Sequence, residues 1–228
     1  MSTMARFETL RAAVEEATAE AGRPKGSVTL IAVSKGFRAE DVKQVSQTGH
    51  SHFGESYVME LKEKSALGPT LEWHFIGRVQ TNKAGIIARC AGLVHTIVSE
   101  RHALAIAKRR DTPLRCLIQV NIAQEPQKGG IAPDEALALA TQLHAHENIL
   151  VEGLMCIPPA TGNSEESRPH FQALATLAEQ GCAQGLPLHQ LSMGMSGDFD
   201  VAIQEGATLV RVGSAIFGER SLAGTPNT

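Results

Sequence analysis

Apolar runs of strand length recur eight times along the chain and alternate with segments of helical composition, a pattern that few folds can accommodate. The runs are TLIAVS (29–34), HFGE (52–55), WHFIG (73–77), LVHTIV (93–98), LRCLIQVNI (114–122), LVEGLMCI (150–157), LHQLSM (188–193) and TLVRVG (208–213). Between them lie AEDVKQVSQTG, YVMELKEKSAL, NKAGIIARCAG, SERHALAIAKR, APDEALALATQLHAH, EESRPHFQALATLAEQ and DFDVAIQEG, with helical period or composition. Strict alternation implies parallel strands joined by helical crossovers. Eight β/α repeats fit a closed barrel, whereas a doubly wound open sheet would stop at ~5–7 strands. A further helix, roughly residues 4–22, precedes the first strand. The fold class is therefore α/β, a single (β/α)8 TIM-type barrel with an additional N-terminal helix. No Pro/Gly/Ser-rich linker divides it: PPATGNSEES (158–167) is short and falls where a βα loop belongs, so residues 1–228 read as one domain.

Charge narrows the partners. A net charge of −3 offers no basic field for a phosphate backbone, which argues against nucleic acid. The start, MSTMARFETL, lacks the basic-then-apolar order of a signal peptide, and no run approaches the ~18 apolar residues of a membrane span. A cytoplasmic protein with no membrane contact is the expectation. Cys90, Cys116, Cys156 and Cys182 show no CxxC spacing and read as reduced, mostly buried thiols. Of the histidines only His50 and His52 form a close pair on one strand face, and no carboxylate completes a metal set. No long apolar seam marks the surface helices, so a monomer is expected.

In such a barrel the C-terminal ends of all strands open on one face, where the βα loops build the site. Residues at or just beyond the end of each run thus line one mouth: Lys35; Glu55 and Ser56; His74, Gln80, Asn82 and Lys83; Asn121, Glu125 and Lys128; Ser192, Gly194 and Ser196; Arg211, Gly213 and Ser214. The last two loops, SMGMSGDFD and RVGSAIFG, sit where barrels of this type often bind phosphate. Ser196 offers a hydroxyl, Gly213 a close backbone approach, and Ser214 an amide and a hydroxyl. The same residues also serve ordinary turns and helix caps.

Lys35 ends the apolar stretch TLIAVS on an amine. It reads either as a solvated strand-end lysine or as a Schiff-base lysine whose pKa is lowered by partial desolvation, so that the neutral amine attacks an aldehyde. A phosphorylated aldehyde such as pyridoxal 5'-phosphate (PLP) would satisfy both the amine and the phosphate loops. Arg211 would then face the ring nitrogen, unless it serves a barrel-mouth ion pair.

Six stretches, LIAVSKGF, HFGESYVMEL, WHFIGRVQTNK, VNIAQEPQKGGI, GLMCIP and LSMGMSGDFDVAIQEGATLVRVGSAIFGER, together resemble the pyridoxal phosphate homeostasis proteins, relatives by fold of the N-terminal barrel of alanine racemases. The likeness spans roughly residues 28 to 220, and the last stretch is the most specific. It implies a PLP-binding barrel that holds the cofactor as an internal aldimine on Lys35. Ser196, Gly213 and Ser214 match phosphate-contacting positions, Arg211 matches the arginine beside the pyridine nitrogen, and His74 falls in a cofactor-site motif. Ser56 stands where the family usually has asparagine, so the contact made by that amide is open here.

The aldimine is shared by carriers and catalysts. Racemisation needs a second acid/base on the opposite ring face. In racemases it is a tyrosine from an additional β domain, whereas this chain ends some 15 residues after its eighth run. The one tyrosine, Tyr57, begins a helix and is expected to pack on the barrel. The expectation is a PLP carrier that maintains PLP homeostasis without turnover, has no catalytic residue, and serves apo PLP-dependent enzymes. Lys83 and Lys128 are candidates for a secondary PLP contact or plain loop lysines. An amino-acid racemase and a lysine-dependent aldolase acting on a sugar phosphate are the alternatives.

Overall fold

The computed structural model describes residues 1–160 and 162–218. Eight parallel strands close into a barrel in sequence order, β1 (Thr29–Val33), β2 (His52–Glu55), β3 (Glu72–Phe75), β4 (Leu93–Ile97), β5 (Leu114–Gln119), β6 (Ile149–Met155), β7 (Gln190–Ser192) and β8 (Leu209–Val212), with β8 returning to pair with β1. Around them run α1 (Thr3–Glu20), α2 (Ala39–Ser46), α3 (Val58–Ser65), α4 (Ala84–Cys90), α5 (Glu100–Ala107), α6 (Pro133–His144), α7 (Arg168–Ala183), α8 (Phe199–Gln204) and α9 (Ser214–Phe217). This is the (β/α)8 barrel with an N-terminal helix that the repeat pattern demands. No helix among the described residues is long and apolar enough to cross a membrane.

The N-terminal helix starts at Ser2, whose Oγ accepts from the Ala5 amide at 3.2 Å, and it buries Phe7, Leu10, Val14 and Ala17 along one stripe. Arg6 donates from Nε to the Ile216 carbonyl at 2.7 Å and ties α1 to α9. Among the described residues two apolar clusters divide the core. The larger fills the layer between strands and helices, while Ile31, Val33, Leu93, Leu117, Met155 and Leu209 fill the barrel itself. Strand alternation sends His52, Gly54 and Ser56 inward on β2 and its continuation. At Gly54 an added Cβ would meet Ile31 Cγ2 at 3.0 Å, so the barrel closes there only over a bare backbone.

The observed strands are shorter than the apolar runs. β7 keeps three residues of LHQLSM, because Pro187 withholds a donor before it and Gly194, at φ 91°, turns the chain after it. A 3-10 turn, Thr81–Lys83, precedes α4, and Ser164–Ser167 form another before α7. Tyr57 differs from expectation: it stands just before α3 with no capping side-chain bond and is 41% exposed, because its neighbours Val58 and Leu61 take the inward positions of that helix.

Candidate functional site

The turn after β1 is built before its lysine. Ser34 is fully buried, donating from Oγ to Glu55 Oε1 at 2.7 Å, and its carbonyl accepts from Lys64 Nζ at 2.8 Å. On the other side, the Gly36 amide donates to Glu60 Oε2 at 2.9 Å, with φ 77° at Gly36 making the turn. Lys64 Nζ joins the anchors, at 2.6 Å from Glu55 and 2.7 Å from Glu60. Lys35 thus projects from a backbone held at both flanking residues, itself half-buried at the barrel mouth. Glu55 faces this cluster rather than the mouth, and burial, offset in part by Lys64, raises its pKa above the usual carboxylate value.

On β8, the strand that pairs with β1, Arg211 points inward beside Ile31 and is buried. Its Nη1 donates to Ser192 Oγ at 2.5 Å and its Nη2 to the Cys156 carbonyl at 2.9 Å. Burial lowers its pKa, yet a guanidinium remains a donor only. Both of these hydrogen-bond partners are neutral, and the Asp198 carboxylate acts on the guanidinium only through its field.

The loop after β7 brings Ser196 to the rim, where its Oγ lies 3.4 Å from Ser214 Oγ. Asp198 accepts from the Met195 amide at 2.7 Å and shapes that loop. In the first turn of α9 the Ile216 and Phe217 amides bond the Gly213 carbonyl, while those of Ser214 and Ala215 have no intrahelical partner. At Gly213 a Cβ would stand 3.0 Å from the Val33 carbonyl, so the strand and the loop close on each other only at glycine.

These pieces enclose one cavity of about 470 Å3, lined by Lys35, Arg211, Ser196, Gly213 and Ser214 and walled by Val33, Phe37, Ile76, Met155, Ile157, Met195 and Gly218. That size lies in the ~300–1,000 Å3 range of small-ligand sites. An amine, a buried cation, two hydroxyls and apolar walls converge there. The arrangement suits a flat, phosphorylated carbonyl compound.

Ser56 and His74 are not among the lining residues. His74 sits below the cavity floor, buried between His52 and His95. Lys83 lies outside the lining as well, and Lys128 pairs with Glu125 at 2.7 Å and donates to the Pro158 carbonyl. Of the cysteines, Cys116 and Cys156 are buried and Cys90 and Cys182 half-buried; burial pushes the Cys156 thiol up to about 12. Among the described residues no cluster could hold a metal ion. Sequence reasoning missed Lys64, one of several lysines in a helical stretch, and His95, hidden in the apolar run LVHTIV. The parity of β4 could have found His95, since it lies two residues from the inward Leu93.

The profile of the alanine racemase N-terminal domain matches residues 6–221. The pyridoxal phosphate homeostasis protein of Vibrio cholerae is 40% identical over 223 residues, covering 94% of each chain. Among solved structures, PipY of Synechococcus elongatus with PLP bound superposes with a TM-score of 0.82 at 31% identity, over 95% of this chain and all of its own. The alanine racemase of Corynebacterium glutamicum, at 17% identity and a TM-score of 0.74 over 98% of this chain and 63% of its own, shares the fold.

Proposed function

The chain belongs to the family of the alanine racemase N-terminal domain, and on that premise we propose that it binds PLP at the barrel mouth as a carrier that buffers and delivers the cofactor. Of the residues that line the cavity, Lys35 would supply the amine for the aldehyde carbon, Ser196, Gly213 and Ser214 would hold the phosphate, Arg211 would serve the ring nitrogen, and Val33, Ile76 and Met155 would offer apolar surface to the ring. Bound there, the cofactor would supply a reactive carbonyl conjugated to an electron-poor ring. Arg211 would donate to the ring nitrogen without giving up its proton, which would leave the ring a weak electron sink. Ser56, off the cavity wall, contributes through a bridging water, and His74 contributes from beneath.

One observation carries the choice of carrier over catalyst. Among the described lining residues the only ionisable side chains are Lys35 and Arg211. Racemisation requires a second acid/base facing the substrate Cα. The guanidinium does not deprotonate, and Tyr57, the residue before α3, is not among the lining residues. Family relatives carry the name of homeostasis proteins, in keeping with this reading. We place the protein in the cytoplasm as a monomer that supplies apo PLP-dependent enzymes.

The test is a pair of measurements on PLP-loaded protein. Wild type is expected to show a visible absorption band that Lys35→Ala abolishes, and to leave the Cα hydrogens of amino acids unexchanged in D2O. Deuterium entering any amino acid at Cα would favour the racemase reading, and an unchanged band in the variant would remove Lys35 from its role.

A further inference from the structure

The barrel interior carries a polar line that the cavity does not account for. His52 Nδ1 lies 3.1 Å from His74 Nε2, His74 Nδ1 lies 2.9 Å from His95 Nε2, and His95 Nδ1 lies 2.8 Å from Ser192 Oγ. Ser192 Oγ in turn accepts from Arg211 Nη1 at 2.5 Å. The line crosses from β2 through β3 and β4 to β7 and β8, starting at the N-terminal rim beside Glu72 and ending at the cation of the cavity. We infer that His95 and Ser192, backed by His74 and His52, are positioning residues that fix the hydrogen-bonding direction of Arg211; the part of this inference that concerns the ring rests on the PLP reading.

Direction follows from the chemistry of the two ends. Arg211 has only donors, so Ser192 must accept from it, and the serine proton is left for His95 Nδ1. A neutral imidazole has one donor and one acceptor, so His95 then carries its proton on Nε2 and donates to His74 Nδ1. The same rule makes His74 an Nε2–H tautomer that donates to His52. At the rim His52 keeps its own Nε2–H, in the field of the Glu72 carboxylate. The opposite direction would have His95 donate to a Ser192 that already accepts from Arg211, leaving a buried hydroxyl proton without an acceptor. Burial keeps His74 and His95 neutral, with the His74 pKa pulled down to about 3 and that of His95 well below its usual value. The charged and titratable groups near the line are His50 on the approach to β2, Glu72 on β3, Arg115 on β5 with its partner Glu152 on β6, Arg11 on α1, and Cys156 and Asp198 at the Arg211 end.

The line holds the Ser192 oxygen at one rotamer and thereby one arm of the guanidinium, so that the remaining N–H groups face the cavity in a fixed direction. Two arms test this. In ligand-free, 15N-labelled protein, side-chain nitrogen shifts are expected to show His74 and His95 as neutral Nε2–H tautomers from pH 6 to 8. An Nδ1–H tautomer at either position, or averaging between the two, would overturn the inference. In the second arm Ser192→Ala is expected to shift the His95 nitrogens, displace the absorption maximum of bound PLP and speed its loss about tenfold, with Ser192→Thr restoring all three. Unchanged His95 nitrogens in Ser192→Ala would also overturn it. Because the nitrogen shifts are read without ligand, they fail or stand separately from the PLP reading.

Discussion

Lys64 shows how much of the site is decided by one side chain that never reaches it. It is 2% exposed, between Glu55 at 0% and Glu60 at 16%, and it bonds the Ser34 carbonyl beside the proposed anchor. One cation here serves two carboxylates, and removing it costs about 3–5 kcal/mol because a carboxylate stays buried without its cation. Lys64→Met is expected to lose stability of that size, measured from urea denaturation midpoints at neutral pH. Glu55 gives the pH dependence. Its native pKa lies above the usual value, so the folded state binds the proton more tightly than the unfolded chain, and its contribution weakens as pH rises through the native pKa. Without Lys64 that pKa rises further, and the deficit of the variant against wild type is expected to be smaller at pH 5 than at pH 8. An equal deficit at both would mean that Glu55 does not carry the cost.

At the scale of elements, the register between strands leaves some positions to glycine alone. Gly153 on β6 pairs with Gln190 on β7, and a Cβ there would stand 1.8 Å from the Gln190 carbonyl oxygen. Gly153→Ala is expected to destabilise by about 3 kcal/mol or more, read as a lowered Tm, since β7 is too short to bend away without losing its ladder. The sequence revealed the strands because alternating apolar runs survive any choice of neighbour. It revealed Lys35, Ser196, Arg211, Gly213 and Ser214 as one group because barrel topology sends strand ends to one mouth. It could not separate Glu55 from the mouth, since the face a strand-end residue takes depends on parity set by the whole closed sheet. Nor could it assemble the three histidines of β2, β3 and β4, whose contact follows from stagger between strands rather than from spacing within any of them.

For the whole molecule, burying imidazoles in the barrel ties stability to acid. Burial brings His50 to about 4 and His74 to about 3, lowers His52, and holds His95 well below the usual value. The unfolded chain takes up these protons near pH 6.5 while the native state refuses them, so stability is complete above that value and falls as pH drops toward 4. Unfolding at pH 5 is expected to take up roughly two to three protons, giving a loss of about 3–4 kcal/mol per pH unit in urea titrations between pH 5 and 6. A flat profile over that range would place the histidines in contact with solvent. The most direct test of the proposed carrier is to load the protein with PLP, reduce it with borohydride and map the modified peptide by mass spectrometry. One phosphopyridoxyl group on Lys35 is the predicted result; a label confined to Lys83, Lys128 or other surface lysines would contradict it.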